Sequence, residues 1–349
     1  MTTKITTHER PGVYSRYDLS GVVRSGGGKI AALIAKAASG DGTKASLWYT
    51  YAQAAEQLGG EMAALARLLF LGGAAAVYGV PLSQDSQYET AIATAEALED
   101  VKVVVCDATD TVTHNKLKQS VEAASAARKE RIAVVGAAAG TTVSQLTAQA
   151  VELNSERMVL VAPAALDEEG EALSGARCAA ATAGAIAGLN DPALPLGGAE
   201  LPGLAGLSAR YSENEIDALV RGGVTVLEST GGTVSVVRGV TTRTKTGSAP
   251  DASWRELSTV LIVDDVIPGI RDALRTKFSR TKNTPQSRGA IRSQVIVELE
   301  NRLNQEIITG YEDVTVTALP DEPEVCLVEF SFTVAHGLNQ IWLSAHISI

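Results

Sequence analysis

Two carboxylates three residues apart, Asp107 and Asp110, follow the apolar run VKVVVC. Such a pair can hold a magnesium ion or share the work of a general acid and base. The same residues also suit a structural role, with Asp107 satisfying loop amides and Asp110, beside Thr111 and Thr113, capping the next helix. Gly136-Ala-Ala-Ala-Gly140-Thr-Thr lies where a phosphate loop would, after a strand and before a helix. It has no lysine, and its glycines stand one residue too close for GxxxxGK[ST]. Ser25-Gly-Gly-Gly-Lys29 has a lysine, but Ile30 takes the place of the magnesium-binding hydroxyl. No GxGxxG follows a strand and no GxSxG occurs. His8, His114, His336 and His346 fall in an arm, a helix start, a turn and a terminal strand, and none is paired with a nucleophile. Cys106, Cys178 and Cys326 are separated singletons in apolar surroundings and read as buried thiols rather than metal or redox ligands. Asp264-Asp265, after an apolar run and before a helix, is a further capping candidate. No catalytic residue, cofactor or metal site is expected from these patterns; an α/β enzyme binding a nucleotide or phosphate ligand is the alternative.

The elements that would position such groups are legible. Short continuous apolar runs at Ile30 to Ile34, Ala74 to Val80, Val101 to Cys106, Ile132 to Val135 and Met158 to Val161 suit strands buried on both faces of a parallel sheet. Helical spacing fills the intervals at Glu61 to Leu71, Asp85 to Leu98 and Thr113 to Arg131. Ala172 to Leu189 reads as a tightly packed soluble helix. A three-layer α/β outer domain over 29–200 follows. Asn190 to Gly206, rich in proline and glycine, reads as a linker.

Beyond it the vocabulary turns to β-branched residues and turns. Glu213 to Arg221 reads as a helix, Val224 to Leu227 and Val234 to Val240 as strands, and Leu257 to Val263 as a buried strand. Helices are expected at Val266 to Phe278 and Gly289 to Ile308, then strands at Val314 to Ala318 and Val325 to Val334. This is an α+β assembly domain over 201–336. Of 53 alanines, 45 precede Tyr211, so the composition itself marks a boundary there.

Net charge is −10, which disfavours nucleic acid or an anionic membrane as partner. No run reaches signal-peptide or membrane-span character, which points to a chain made and kept in the cytosol. Residues 1–28 form a polar amino-terminal arm and linker. Residues 337–349 form a carboxyl-terminal arm in which Ile341, Leu343, Ala345, Ile347 and Ile349 alternate with polar residues and Trp342. A terminal strand exposes a row of backbone groups that either pairs within its own domain or augments a neighbour's sheet.

Several stretches carry a family resemblance: Arg10-Pro11-Gly12-Val13-Tyr14, Asn154-Ser155-Glu156-Arg157 before MVLVAP, and Asp191 to Leu196. The longest are Tyr211 to Thr244, Trp254 to Val260 with Ile262 to Asp265, and the closing FTVAHGLNQIWLSAHISI. In order and spacing the chain resembles the tail sheath proteins of contractile phage tails, tailocins and related contractile injection systems. The match is good from about Arg131 onward and loose before it.

The resemblance implies a helical homo-oligomer around a tail tube that contracts to drive the tube through a target cell envelope. Further partners implied are baseplate and tail terminator proteins. It places the chain in a virion tail or phage-like particle assembled in the bacterial cytoplasm. It also implies a conserved carboxyl-terminal domain nearest the tube and a variable domain outside. Inter-subunit strands are then expected from Pro11, Gly12, Val13 and Tyr14, and from Ile341, Trp342, Leu343, Ala345, Ile347 and Ile349. Hinges are expected at Gly26, Gly27, Gly28, Gly337 and Asn339, and contacts to acidic groups of the tube at Arg271, Arg275, Lys277, Arg280 and Lys282.

Overall fold

The structure is a computed structural model that describes residues 28–322, 324–339 and 343–344. Its first half runs β1 (Ile30–Lys36), β2 (Ser46–Trp48), α1 (Tyr51–Gln57), α2 (Gly60–Gly72), β3 (Ala76–Leu82), α3 (Tyr88–Ala97), β4 (Val101–Cys106) and α4 (Thr111–Ala126). Then come β5 (Ile132–Gly136), α5 (Val143–Leu153), β6 (Met158–Ala162), β7 (Ala165–Leu166), α6 (Ala176–Gly188), β8 (Gly206–Leu207) and α7 (Glu213–Arg221). The remainder is β9 (Val224–Thr230), β10 (Thr233–Val236), β11 (Lys245–Thr246), β12 (Ala249–Pro250), α8 (Leu257–Phe278), α9 (Pro285–Asn304), β13 (Ile308–Ala318) and β14 (Cys326–Val334).

Eight strands form one sheet in the order β10-β9-β6-β5-β4-β1-β3-β2, parallel except where β2 joins β3 and β10 joins β9. The period of two sends alternate residues to opposite faces. Leu33, Val103, Val105, Val134 and Val161 pack under α2 and α6, while Ile34, Val104, Val135 and Leu160 pack under α3, α4 and α5. That two-sided burial is why these strands read as continuous apolar runs, and the expected three-layer α/β architecture is present. Hydroxyl and carboxylate caps start several helices: Thr50 for α1, Asp110 for α4, Thr142 for α5 and Thr284 for α9.

Helices α2 and α6 approach at backbone distance because glycine lines both. A Cβ on Gly72 would lie 2.4 Å from the carbonyl carbon of Gly184, and one on Gly188 2.3 Å from the carbonyl oxygen of Gly72. The alanine-rich sequence of α6 is buried almost throughout, as expected for a tightly packed helix.

Several sequence expectations change. The sheet takes β9 and β10 from beyond residue 200, so the boundary expected there falls inside a continuous sheet. The segment expected as a linker covers the outer edge of β10: Gly198 donates to the carbonyl of Val236 and Leu201 to that of Val234. An edge covered in this way is closed to further strand pairing.

Leu257 to Val263 is not a strand but the first two turns of α8, which continues unbroken through the segment expected as a separate helix. Leu257, Val260 and Leu261 belong to the core above the sheet, while Ile262, Val266 and Ile270 belong to a third core with α9, β13 and β14. A helix wedged between two cores is apolar on two sides, and its run of apolar residues imitates a buried strand.

Candidate assembly surfaces

The groups that first suggested chemistry have structural partners. The Asp107 carboxylate accepts from the amide of Lys36 (2.8 Å) and from the Tyr88 hydroxyl (2.7 Å). Asp110 accepts from the amide of Thr113 (2.8 Å) as the cap of α4. His114 is buried with Nε2 2.8 Å from the carbonyl oxygen of Ala108, and burial pushes its pKa down. The end of β5, where a phosphate loop would begin, is crowded. A Cβ on Gly136 would lie 2.1 Å from the carbonyl oxygen of Gly175, so the start of α6 fills the space over this strand end. Asp264 and Asp265 are not helix caps, because both lie inside α8. Asp264 pairs with Arg157, and Asp265 stands 3.4 Å from Nε of Arg302.

What the fold leaves open is strand edge. β13 and β14 make a two-stranded antiparallel ribbon with Thr315 opposite Glu329, Val316 opposite Val328 and Thr317 opposite Leu327. Alternation along β14 half-buries Val328, Phe330, Phe332 and Val334 against the core beneath α9, while Leu327, Glu329, Ser331 and Thr333 face out. The rings of Phe330 and Phe332 stack with centroids 6.3 Å apart. Among the described residues no third strand joins either edge of the ribbon. Among the described residues the nine-residue β14 pairs with β13 alone, and an unpaired edge is a template for another strand. The sequence showed both strands but not that they stand apart from the main sheet, because strand pairing is nonlocal.

The expected arm strands lie largely outside the described residues: Pro11, Gly12, Val13, Tyr14, Ile341, Trp342, Ala345, Ile347 and Ile349 are all there, as are the hinge residues Gly26 and Gly27. Leu343 is described and 93% exposed. Gly28 is packed, since a Cβ there would lie 2.8 Å from the carbonyl oxygen of Gly73. Gly337 crosses Pro195 so closely that a Cβ would lie 2.7 Å from the proline Cβ, and Asn339 lines a small crevice with Leu194, Pro195 and Leu257.

The five cations expected to meet a tube are not equivalent. Arg271 is committed within the chain, its Nη2 donating to Glu130 Oε1 at 2.7 Å. Burial pushes the Glu130 carboxyl up, but the Arg271 guanidinium outweighs it and holds the group below its usual value. Lys277 donates to Gln294 at 2.6 Å. Arg275, Arg280 and Lys282 are exposed. Nothing local points to Glu130 as a partner, because it lies 141 residues from Arg271.

Comparison with known proteins bears on these surfaces. Residues 84–242 match the family model for the phage tail sheath protein central domain, and residues 249–348 that for the phage tail sheath C-terminal domain. No curated protein matches the chain in sequence. Among solved structures, the crystal structure of a sheath tail protein from Desulfitobacterium hafniense superposes with a TM-score of 0.71 at 12% identity, covering 93% of this chain and 100% of that one. The anti-feeding prophage helical sheath in its contracted state gives 0.71 at 15% identity, covering 98% and 100%. A chain of the six-fold symmetrised anti-feeding prophage baseplate gives 0.74 at 15% identity, with coverage of 98% and 100%. At these identities the likeness is one of fold.

Proposed function

The chain belongs to the phage tail sheath family and is a structural sheath subunit, and we propose that it polymerises helically around a tail tube and drives that tube by contraction. The observation that carries this reading is the open-edged ribbon of β13 and β14. Strands from other copies would add to its edges: the alternating segment Ile341 to Ile349 and the amino-terminal segment around Pro11 to Tyr14 supply them. Contacts of this kind are heterologous, and when the rotation does not close they build an open helix.

Contraction is then a change between two packings of the same subunits, with the arms as tethers. Gly28 and Gly337 are packed against Gly73 and Pro195, which leaves Gly26, Gly27 and Asn339 as the hinges of this reading. Arg275, Lys277, Arg280 and Lys282 form the tube-facing charge, through screened contacts that can break as the sheath widens. Baseplate and terminator proteins cap the helix, and assembly takes place in the bacterial cytoplasm. No nucleotide is consumed, because the work is the free-energy difference between packings.

Electron microscopy of the purified full-length protein tests this reading. Helical tubes are expected from the complete chain, and a monomer lacking Trp342 to Ile349 should remain soluble without polymerising. Sheaths formed by that truncation would remove the arm mechanism.

A further inference from the structure

Helix α8 lies over the amino-terminal ends of β1, β4 and β5 and leaves a cavity of about 210 Å³ beneath it. Its apolar wall includes Val103, Ile132 and Leu261, and its charged wall Lys29, Lys102, Glu130, Asp264 and Asp265. Each acid there is tied to an arginine: Glu130 to Arg271, Asp264 to Arg157 and Asp265 to Arg302. The lysines are not. Among the described residues neither lysine has a carboxylate within ion-pair distance, and the Lys29 ammonium reaches only the carbonyl of Ile186, at 3.5 Å.

Arg302 also pairs with Glu298, so those two charges cancel. Lys29, Lys102 and the arginines Arg157 and Arg271, which pair with acids of the wall without lining it, then stand against Glu130, Asp264 and Asp265, an excess of one positive charge among the described residues. It sits in a chain whose overall charge is −10. Burial pushes the Lys29 pKa down, the response of a cation short of compensation. The two half-buried lysines are therefore left without a carboxylate, and a charge withdrawn from water calls for a partner.

We propose that this cavity is a socket for a carboxylate, filled in the assembled particle by an acidic side chain from a second copy of the chain. The inference rests on the sheath reading, which supplies the second copy. The acid excess of the chain, 40 acidic against 30 basic residues, supplies the carboxylate. One acid per socket neutralises the joint where α8 crosses the sheet. The charge at that joint is thereby coupled to subunit packing.

Mixed polymers of nitrogen-15-labelled and unlabelled chain, treated with a zero-length carbodiimide that joins amines to carboxylates in contact, test the socket by mass spectrometry. The expected product is a mixed-isotope link from Lys102 or Lys29 to an Asp or Glu of another chain, present in polymer and absent from monomer. In the Lys29→Met, Lys102→Met double variant the link disappears and the critical concentration for polymerisation rises roughly tenfold, the worth of one interfacial ion pair. Polymers whose two lysines link only within their own chain, for instance to Glu9 or Asp18, or do not link at all, overturn the proposal. So does protection of both lysines from acetylation by inorganic phosphate in place of a neighbouring chain. Failure of the wild-type chain to polymerise removes the sheath reading and the socket together, whereas polymers without the link remove the socket alone.

Discussion

Arg157, just before β6, and Asp264, in the middle of α8, join their charged groups where the helix crosses the sheet, and their side chains keep only 12% and 13% of their exposure. Two charges taken out of water cost several kcal/mol each unless they compensate one another. With Arg271 and Glu130 about two turns along, this pair joins α8 to the strand ends of the sheet. Charge pairs made within one chain therefore tie α8, which packs against the ribbon's core, to the end of the sheet.

Removing one partner exposes that dependence. Arg157→Met leaves a buried carboxylate unpaired and should lower stability by about 3–5 kcal/mol in urea unfolding. Adding Asp264→Leu should recover more than half of the loss. A cost below about 1 kcal/mol for the single variant would show that the pair holds nothing in place.

The same carboxyl sets a pH dependence. Burial pushes Asp264 above its usual value, and Arg157 offsets this only in part. The folded state therefore holds this proton more tightly than the unfolded chain does. Stability from this group is fully present below the unfolded value of 3.8 and is lost as pH rises through the folded value. The stability of wild type relative to Asp264→Asn should accordingly fall as pH is raised from about 4, as measured by urea unfolding at a series of pH values. A flat difference would contradict the assigned direction.

Close approach of α2 and α6 makes Gly72 intolerant of a side chain. Gly72→Ala forces backbone apart and should cost about 1–3 kcal/mol. Gly59→Ala, at a position with φ −110° and nothing within 4 Å, should stay within about 0.5 kcal/mol of wild type. Equal thermal midpoints for the two variants would mean that the helices have slack.

Thiol reactivity reports on the two cores. Cys106 and Cys178 are buried; burial pushes the Cys178 thiol up to about 12 and Cys106 higher still. Ellman's reagent should therefore label only the half-buried Cys326 in native protein. The other two should react at the rate of unfolding.

The cations on and just after α8 differ in their partners, so mutation can separate the proposed tube contact from the pair within the chain. Paired charge reversal, Arg275→Glu with Arg280→Glu, should leave thermal stability within a few degrees of wild type while abolishing sheath assembly on a tube. Arg271→Glu should instead destabilise the isolated chain, because it faces Glu130. Normal sheathed particles from the first variant would remove the tube contact.

Much of this was legible because it is local. The strands at Val101 to Cys106, Ile132 to Gly136 and Met158 to Ala162 announce themselves by apolar runs of strand length. Asp110 is a cap by its spacing to Thr113. The ordered stretches from Asn154 onward carried the family. Harder to read was anything shaped by two environments at once. Leu257 to Val263 looked like a strand because its helix is buried on two sides. Arg131 gave no sign that its guanidinium would be buried against the carbonyls of Ala95 and Leu98 at the end of α3.

By itself the sequence determined the α/β class, the positions of most elements, the lack of a phosphate-loop lysine and the resemblance of the chain to a sheath. Composition, periodicity and capping are properties of neighbouring residues, so they survive in one dimension. Only the tertiary structure decided that the sheet runs past the alanine boundary, that the proline- and glycine-rich segment closes one sheet edge, and that among the described residues β13 and β14 pair only with each other. It alone separated Arg271, held by Glu130, from the exposed Arg275. Strand pairing and charge pairing join residues distant in the chain, and their partners are set by how the layers pack.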